Sequence, residues 1–203
     1  MAASFRRVAI VGTGLIGGSF ALALRKYFPD SVVVGWDKTQ VLRHALERGA
    51  IHEAIPDLTL AVAGADLIYV ALPVGHTIEL LPEIARLAPP NALVTDASST
   101  KRSVCAVAAE SFHKGGAHFL GGHPMAGKEI SGIAAADANL FRGSKYALIR
   151  ASAKEKADES AKKVAQDVAS IRSSIVSIIT FLAISFVGYC IIRFFHFNPF
   201  GGN

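Results

Sequence analysis

Short apolar runs alternate with amphipathic stretches over residues 5–150. The apolar runs are rich in Val, Ile and Leu and lack polar alternation, which is typical of strands covered on both faces. They predict strands at 8–11, 32–35, 67–71, 92–95, 118–120 and 146–149. The amphipathic stretches predict helices at 16–27, 39–48, 77–87 and 101–113. This alternation of strand and helix predicts an α/β domain over residues 1–150, built on a doubly wound parallel sheet.

The pattern changes after residue 150. Residues 151–172 are polar, rich in alanine and densely charged, which predicts an exposed helical linker. Residues 173–192 carry no charge, and as a helix they would extend roughly 30 Å, the thickness of a bilayer core. We therefore expect one transmembrane helix at 173–193 and a short tail at 194–203. Two alternatives stay open: a buried helix at a dimer interface, and a tail that is no evolved part of the protein.

Composition excludes several classes of protein. With 51% hydrophobic and 18% charged residues, the chain is not disordered. The net charge is +5, but no dense basic block with interleaved aromatic residues occurs, so we expect no nucleic acid partner. Cys105 and Cys190 match no metal-binding spacing, nor do the histidines, so we expect no metal site. The N-terminus lacks a signal-peptide design, and basic residues are enriched before the uncharged run, so we expect a cytoplasmic first domain.

A glycine loop joins the first predicted strand to the first predicted helix. Gly12, Gly14 and Gly17 form the pattern GxGxxG. Gly12 turns the chain out of the strand, Gly14 lets the backbone approach a pyrophosphate, and Gly17 lets the helix pack closely on the strand. The free N–H groups of the helix that begins near Leu15 and Ile16 would then face the phosphates. The loop predicts a Rossmann domain that binds a dinucleotide.

Two other strand ends are predicted to contact the cofactor. Asp37 follows the second strand, and a carboxylate there accepts hydrogen bonds from the adenosine ribose and repels a 2′-phosphate. We therefore expect NAD rather than NADP, although Asp37 could equally cap the helix that begins at Thr39. Leu72 and Pro73 follow a later strand, where a loop commonly covers the dinucleotide, although a plain turn would use Pro73 equally well.

Two further loops are more specific. Residues 95–101 read TDASSTK and residues 121–127 read GGHPMAG, and both follow predicted strands, so both should line the crevice of the glycine loop. Together with GTGLIGGS in the glycine loop and LFRG at 140–143, these segments resemble the prephenate dehydrogenase family. The resemblance covers residues 5–150. This family oxidises prephenate or arogenate.

The resemblance implies NAD-dependent oxidative decarboxylation of prephenate or arogenate in tyrosine biosynthesis. It implies that His123, in the GGHP segment, is catalytic, and a neutral imidazole suits this role because it can accept the substrate's hydroxyl proton. It also implies that Ser99, in the DxxS segment, orients the same hydroxyl. Alternatively, His123 could serve a turn and Ser99 could cap the following helix. Lys101 is expected to be a solvated lysine of the first helical turn.

The resemblance stops near residue 150. Members of the family continue into a helical domain that forms a homodimer and supplies an arginine to a substrate carboxylate, and residues 151–203 are too few to hold it. Two other functions therefore stay open. One is a non-catalytic NAD-binding module tethered to a membrane or a partner, and the other is a dehydrogenase of another small hydroxy acid. Neither prephenate nor arogenate is preferred as substrate.

Overall fold

A computed structural model describes residues 5–150. Within this range, one sheet has the strand order β3-β2-β1-β4-β5-β6-β7. The strands are β1 (Arg7–Val11), β2 (Val32–Trp36), β3 (Glu53–Ala54), β4 (Leu67–Val70), β5 (Leu93–Asp96), β6 (His118–Pro124) and β7 (Tyr146–Arg150). All neighbouring strands pair in parallel except β6 and β7, which are antiparallel. The strand order reverses between β1 and β4, and such switch points are where this fold binds ligands.

Helices cover both faces of the sheet. They are α1 (Leu15–Tyr27), α2 (Thr39–Glu47), α3 (Leu58–Val62), α4 (Val74–Leu87) and α5 (Arg102–Ser111), with a 3-10 turn at Ile133–Ala135. Successive residues of β1 alternate between the two faces, so Val8 and Ile10 pack with α1 and α2. Ala9 and Val11 pack with α3, α4 and α5 on the other face. The central strands β1 and β4 are largely apolar because both of their faces are buried.

The prediction of a doubly wound α/β sheet is confirmed, with three differences. First, β3 and α3 were not predicted. Second, the last strand runs antiparallel to its neighbour instead of joining the parallel set. Third, the GGHP segment is not a loop, because β6 continues through Gly121 and His123 to Pro124, where it pairs with β7.

The predictions for the C-terminal quarter concern residues that the structure does not describe. The predicted linker at 151–172, the predicted transmembrane helix at 173–193 and the tail at 194–203 all lie outside the described residues. Within residues 5–150, no helix combines the length and the apolar character that a membrane span requires.

Candidate active site

The glycine loop between β1 and α1 leaves room where a dinucleotide phosphate would approach. Gly12 has a φ of +95°, and a Cβ there would lie 2.7 Å from the carbonyl oxygen of Ala71. A Cβ on Gly17 would lie 1.9 Å from the carbonyl oxygen of Gly12, so α1 can pack this closely only through glycine. A Cβ on Gly14, in contrast, would meet no atom of the described chain within 4 Å. Gly12 and Gly17 are therefore required by close backbone packing, because a Cβ at either position would clash with a backbone oxygen. Gly14 instead faces open space.

The N-terminus of α1 lies at this open position. Gly14 is its N-cap, and no side chain of the described residues caps it or places an acidic group in its first turn. Leu15 and Ile16 are half-buried in that turn. The N–H groups of the turn and the positive end of the helix dipole therefore suit an anionic group.

Leu72 lies against the glycine loop. Its Cδ2 atom would be 2.9 Å from a Cβ on Gly12. Pro73 follows as the exposed N-cap of α4, and its carbonyl oxygen accepts the backbone N–H of Thr77 at 2.9 Å. Leu72 thus closes one side of the loop, and Pro73 begins the next helix.

Asp37 holds the glycine loop from the end of β2. Its Oδ2 accepts the backbone N–H of Thr13 at 2.7 Å, and its Oδ1 accepts the backbone N–H of Lys38 at 2.7 Å. The backbone N–H of Gly12 in turn donates to the carbonyl oxygen of Trp36 at 2.9 Å. The alternative role of Asp37 as a helix cap does not occur, because Lys38 is the N-cap of α2 and no side chain caps it.

Backbone hydrogen bonds connect the remaining loops along the same sheet edge. The N–H of Ala71 donates to the carbonyl oxygen of Val11 at 2.8 Å, and the N–H of Ala97 donates to the carbonyl oxygen of Val70 at 2.9 Å. Loops after β1, β4 and β5 are thereby held side by side. The glycine loop follows β1, and His123 lies in β6, three strands away in the order β1-β4-β5-β6. At about 4.8 Å per strand spacing, β1 and β6 are about 14 Å apart.

The segment after His123 also folds back onto α1. A Cβ on Gly18 would lie 2.4 Å from Cδ1 of Ile133, so these two residues are in close contact. The backbone N–H of Asp137 donates to Oγ of Ser19 at 2.9 Å. The helix of the glycine loop and the chain that follows His123 are therefore packed together directly.

Asp96, at the end of β5, is a fully buried carboxylate that the sequence did not indicate as a site residue. It accepts the backbone N–H of Ser98 at 3.0 Å and that of Gly122 at 3.1 Å, and it pairs with the ammonium of Lys101. Burial lowers the pKa of Lys101, while Asp96 raises it. The sequence offered one signal for this pair, a carboxylate at the end of an apolar strand with a lysine five residues later.

The expectation that Lys101 is solvated is wrong. Only 12% of its side chain is exposed, and its Nζ also donates to the carbonyl oxygen of Gly122 at 2.6 Å. The buried carboxylate of Asp96 accounts for the difference, because an ammonium can leave water only where a partner of opposite charge receives it.

His123 lies within β6, opposite Ala147 of β7, and is half-buried. It therefore lies in a strand and does not stabilise a turn. Burial is the largest cause that lowers the pKa of His123, the charge of Lys101 lowers it further, and Asp96 opposes both. The net effect is a lowered pKa, so the imidazole is neutral at pH 7 and can accept a proton.

Ser99 is exposed in the loop between β5 and α5. It does not cap α5, because that helix has Lys101 as its N-cap and receives no side-chain cap. The neighbouring Ser98 is buried, and within the described chain its Oγ has no hydrogen-bond partner. Ser99 is thus the serine of this loop whose hydroxyl is open to solvent.

Known proteins share sequence with most of the chain. The family model described as prephenate dehydrogenase, nucleotide-binding domain, matches residues 20–177. A prephenate dehydrogenase from Lactococcus lactis is 40% identical over 144 residues, which cover 70% of this chain and 40% of the relative. The chain therefore spans less than half the length of this curated relative.

Two solved structures share the fold. Arogenate dehydrogenase from Synechocystis has a TM-score of 0.70 at 29% identity, covering 85% of this chain and 56% of that one. Prephenate dehydrogenase from Aquifex aeolicus, in complex with hydroxyphenyl propionate and NAD+, has a TM-score of 0.72 at 24% identity, covering 96% and 61%. The family match covers well over half of the chain, so the chain belongs to the prephenate dehydrogenase family and carries its nucleotide-binding domain.

Proposed function

We propose that this chain binds NAD and takes part in the oxidative decarboxylation of prephenate or arogenate, with His123 as the proton acceptor. The observation that carries the proposal is the sheet edge, which holds the glycine loop and the strand of His123 in one connected framework. Membership of the family supports the reaction type. The NAD+ bound to the Aquifex aeolicus relative supports the choice of cofactor.

The residues present fit NAD. The open position at Gly14 and the uncapped start of α1 suit the pyrophosphate, and the carboxylate of Asp37 suits the ribose hydroxyls. Leu15 and Ile16 begin α1 directly after Gly14, and Leu72 lies against Gly12, so we assign these residues, with Pro73 next to Leu72, to the border of the cofactor. NAD, when bound, accepts the hydride from the substrate carbon.

The chain's own groups handle the proton. A neutral imidazole nitrogen of His123 accepts the proton of the ring hydroxyl as the carbon that bears it is oxidised. The exposed hydroxyl of Ser99 hydrogen-bonds the same oxygen and orients it. The ring carboxylate then leaves as carbon dioxide, its bonding electrons make the ring aromatic, and the proton held by His123 returns to the phenol oxygen.

The test is a comparison of wild type with His123→Asn, which keeps a polar side chain of similar size but lacks the basic nitrogen. We expect wild type to reduce NAD with prephenate or arogenate, and the variant to lose turnover while its NAD affinity is unchanged. Reduction of NAD is followed by absorbance, and NAD binding by calorimetry. Full activity of the variant would remove His123 from the mechanism.

The sequence analysis also left open a non-catalytic NAD-binding module, which the family match and the curated relatives do not favour. The same two assays distinguish it. NAD binding by wild type without turnover of prephenate, arogenate or a panel of other small hydroxy acids would establish the module.

We also propose roles for the C-terminal segments. Residues 151–172 would act as a charged linker, and the uncharged residues 173–192 as a membrane tether, with a homodimer contact as the alternative. The family match reaches residue 177 and so includes the linker, which supports its being part of the protein. A tether predicts that the full chain pellets with membranes and resists a salt wash, whereas a dimer contact predicts a soluble dimer.

A further inference from the structure

Strand β6 extends beyond its parallel neighbour. The pairing between β5 and β6 ends where Thr95 lies opposite Leu120, and β5 itself ends at Asp96. Among the described strands, β6 pairs from Gly121 to Pro124 with β7 alone, on its other side. The β6 edge that faces β5 would therefore leave polar backbone groups unpaired just before His123, and such groups are costly when buried.

The Asp96–Lys101 ion pair takes the place of the missing strand. Asp96 accepts the N–H of Gly122, and Lys101 donates to the carbonyl oxygen of the same residue. That carbonyl belongs to the peptide bond whose nitrogen is that of His123. Side chains thus hold both peptide units that flank Gly122.

No side chain at position 122 could share this space. A Cβ on Gly122 would lie 2.6 Å from the carbonyl oxygen of Asp96, 2.8 Å from Oγ1 of Thr95 and 2.9 Å from the hydroxyl of Tyr146. The backbone of β6 therefore approaches the end of β5 as closely as a glycine allows, which brings the carboxylate of Asp96 within reach of Gly122.

The same carboxylate holds the other loop. Oδ2 of Asp96 accepts the backbone N–H of Ser98, which precedes Ser99. One buried ion pair therefore fixes the peptide before His123 and the loop that carries Ser99. Surface ion pairs contribute little to stability, but here the carboxylate is fully buried and the ammonium nearly so, so that neither charge can be rehydrated if the pair is broken.

We propose that Asp96 and Lys101 are positioning residues, which set the location of His123 relative to Ser99 by clamping the Gly122 peptide. This inference rests on the proposed function of His123. Neither residue is assigned a contact with substrate or cofactor. The pair also adjusts the charge around the imidazole, because the positive charge of Lys101 disfavours protonation of His123 and the negative charge of Asp96 favours it.

The test uses the full chain with four variants. Lys101→Met removes the ammonium at similar volume, Lys101→Arg keeps the charge, and Asp96→Asn with Lys101→Met removes both charges together. Lys128→Met is the matched control, because Lys128 also pairs with an aspartate near this segment, at the surface. Two properties are measured: the NMR titration of the His123 imidazole, and the pH dependence of kcat and KM with NAD and prephenate.

In Lys101→Met we expect the His123 titration to move to higher pH, because a positive neighbour is lost while a negative one remains. We expect kcat to fall by about 100-fold, the effect of a displacement of roughly 1 Å at a reacting group. In the double variant the two charge effects oppose each other, so the titration should stay near that of wild type while kcat remains low. Lys101→Arg should recover much of the activity, and Lys128→Met should resemble wild type.

Two results would overturn the inference. The first is a Lys101→Met variant with the kcat of wild type, and the second is a double variant with the kcat of wild type. If Lys101→Met does not fold, the double variant decides, because it leaves no unpaired buried charge. An inactive wild type would count against the proposed function instead, and the NMR titration would still test the arrangement around His123.

Discussion

The open space at Gly14 leads to a prediction about Gly14→Ala, a substitution that should impair cofactor binding and spare the fold. A Cβ at this position meets no atom of the described chain within 4 Å, so an added methyl group causes no steric clash. Alanine is a poorer N-cap than glycine, by about 1 kcal/mol or less. The free energy of unfolding should therefore change by less than about 1 kcal/mol.

The NAD affinity should change much more. The added methyl group would occupy the space through which a phosphate reaches the N–H groups at the start of α1. Loss of one hydrogen bond to a charged group costs about 1.5–3 kcal/mol. At about 1.4 kcal/mol per tenfold change, the dissociation constant of NAD should rise by roughly 10-fold to 150-fold.

The assay is isothermal calorimetry with NAD, together with a thermal unfolding curve for each variant. Gly17→Ala is the contrasting variant, because its Cβ would lie 1.9 Å from a backbone oxygen, and overpacking of this kind costs about 1–3 kcal/mol or more. It should lower the unfolding temperature. Gly116→Ala is the neutral control, because Gly116 precedes β6 and so lies at the opposite end of that strand from His123. Unchanged NAD affinity in Gly14→Ala would refute the assignment of this open space to the cofactor.

Two further predictions concern charge. Asp37→Asn keeps an oxygen that can accept the N–H of Thr13 but removes the carboxylate charge. NAD should therefore bind more weakly, and the affinity for NADP should rise relative to that for NAD. An unchanged ratio of the two dissociation constants would contradict this. Because the pKa of His123 is lowered from its usual value, and protonation removes the base, the acidic decline of kcat/KM should have its midpoint below about pH 6.5. A midpoint above pH 7 would show that another group controls the reaction.

The sequence was sufficient to predict the central strands and their order of appearance. Strands such as β1 and β4 are buried on both faces, so each appears as an unbroken apolar run. The edge strand β3 was missed because it has only two residues, Glu53 and Ala54, and neither is apolar enough to signal a strand. Helix α3 was missed for a similar reason, because five residues cannot display a helical period even though Asp57 caps them.

The candidate site was less predictable where its residues meet through tertiary contacts. The glycine loop and Asp37 were recognised because their chemistry depends on local spacing. The burial of Lys101 could not be predicted in this way, because it depends on how far β6 runs past β5. That offset depends on how the strands pair in the sheet, and neither the TDASSTK segment nor the GGHP segment indicates it.

The antiparallel course of β7 has a consequence for work with this domain. Since β1 begins, and β7 ends, on the rim opposite the cofactor loops, the two ends of the described domain share one side. The chain therefore enters the described domain at residue 5 and leaves it at residue 150 on the side away from the nucleotide crevice. A label attached close to either of these two points would leave the crevice accessible to NAD.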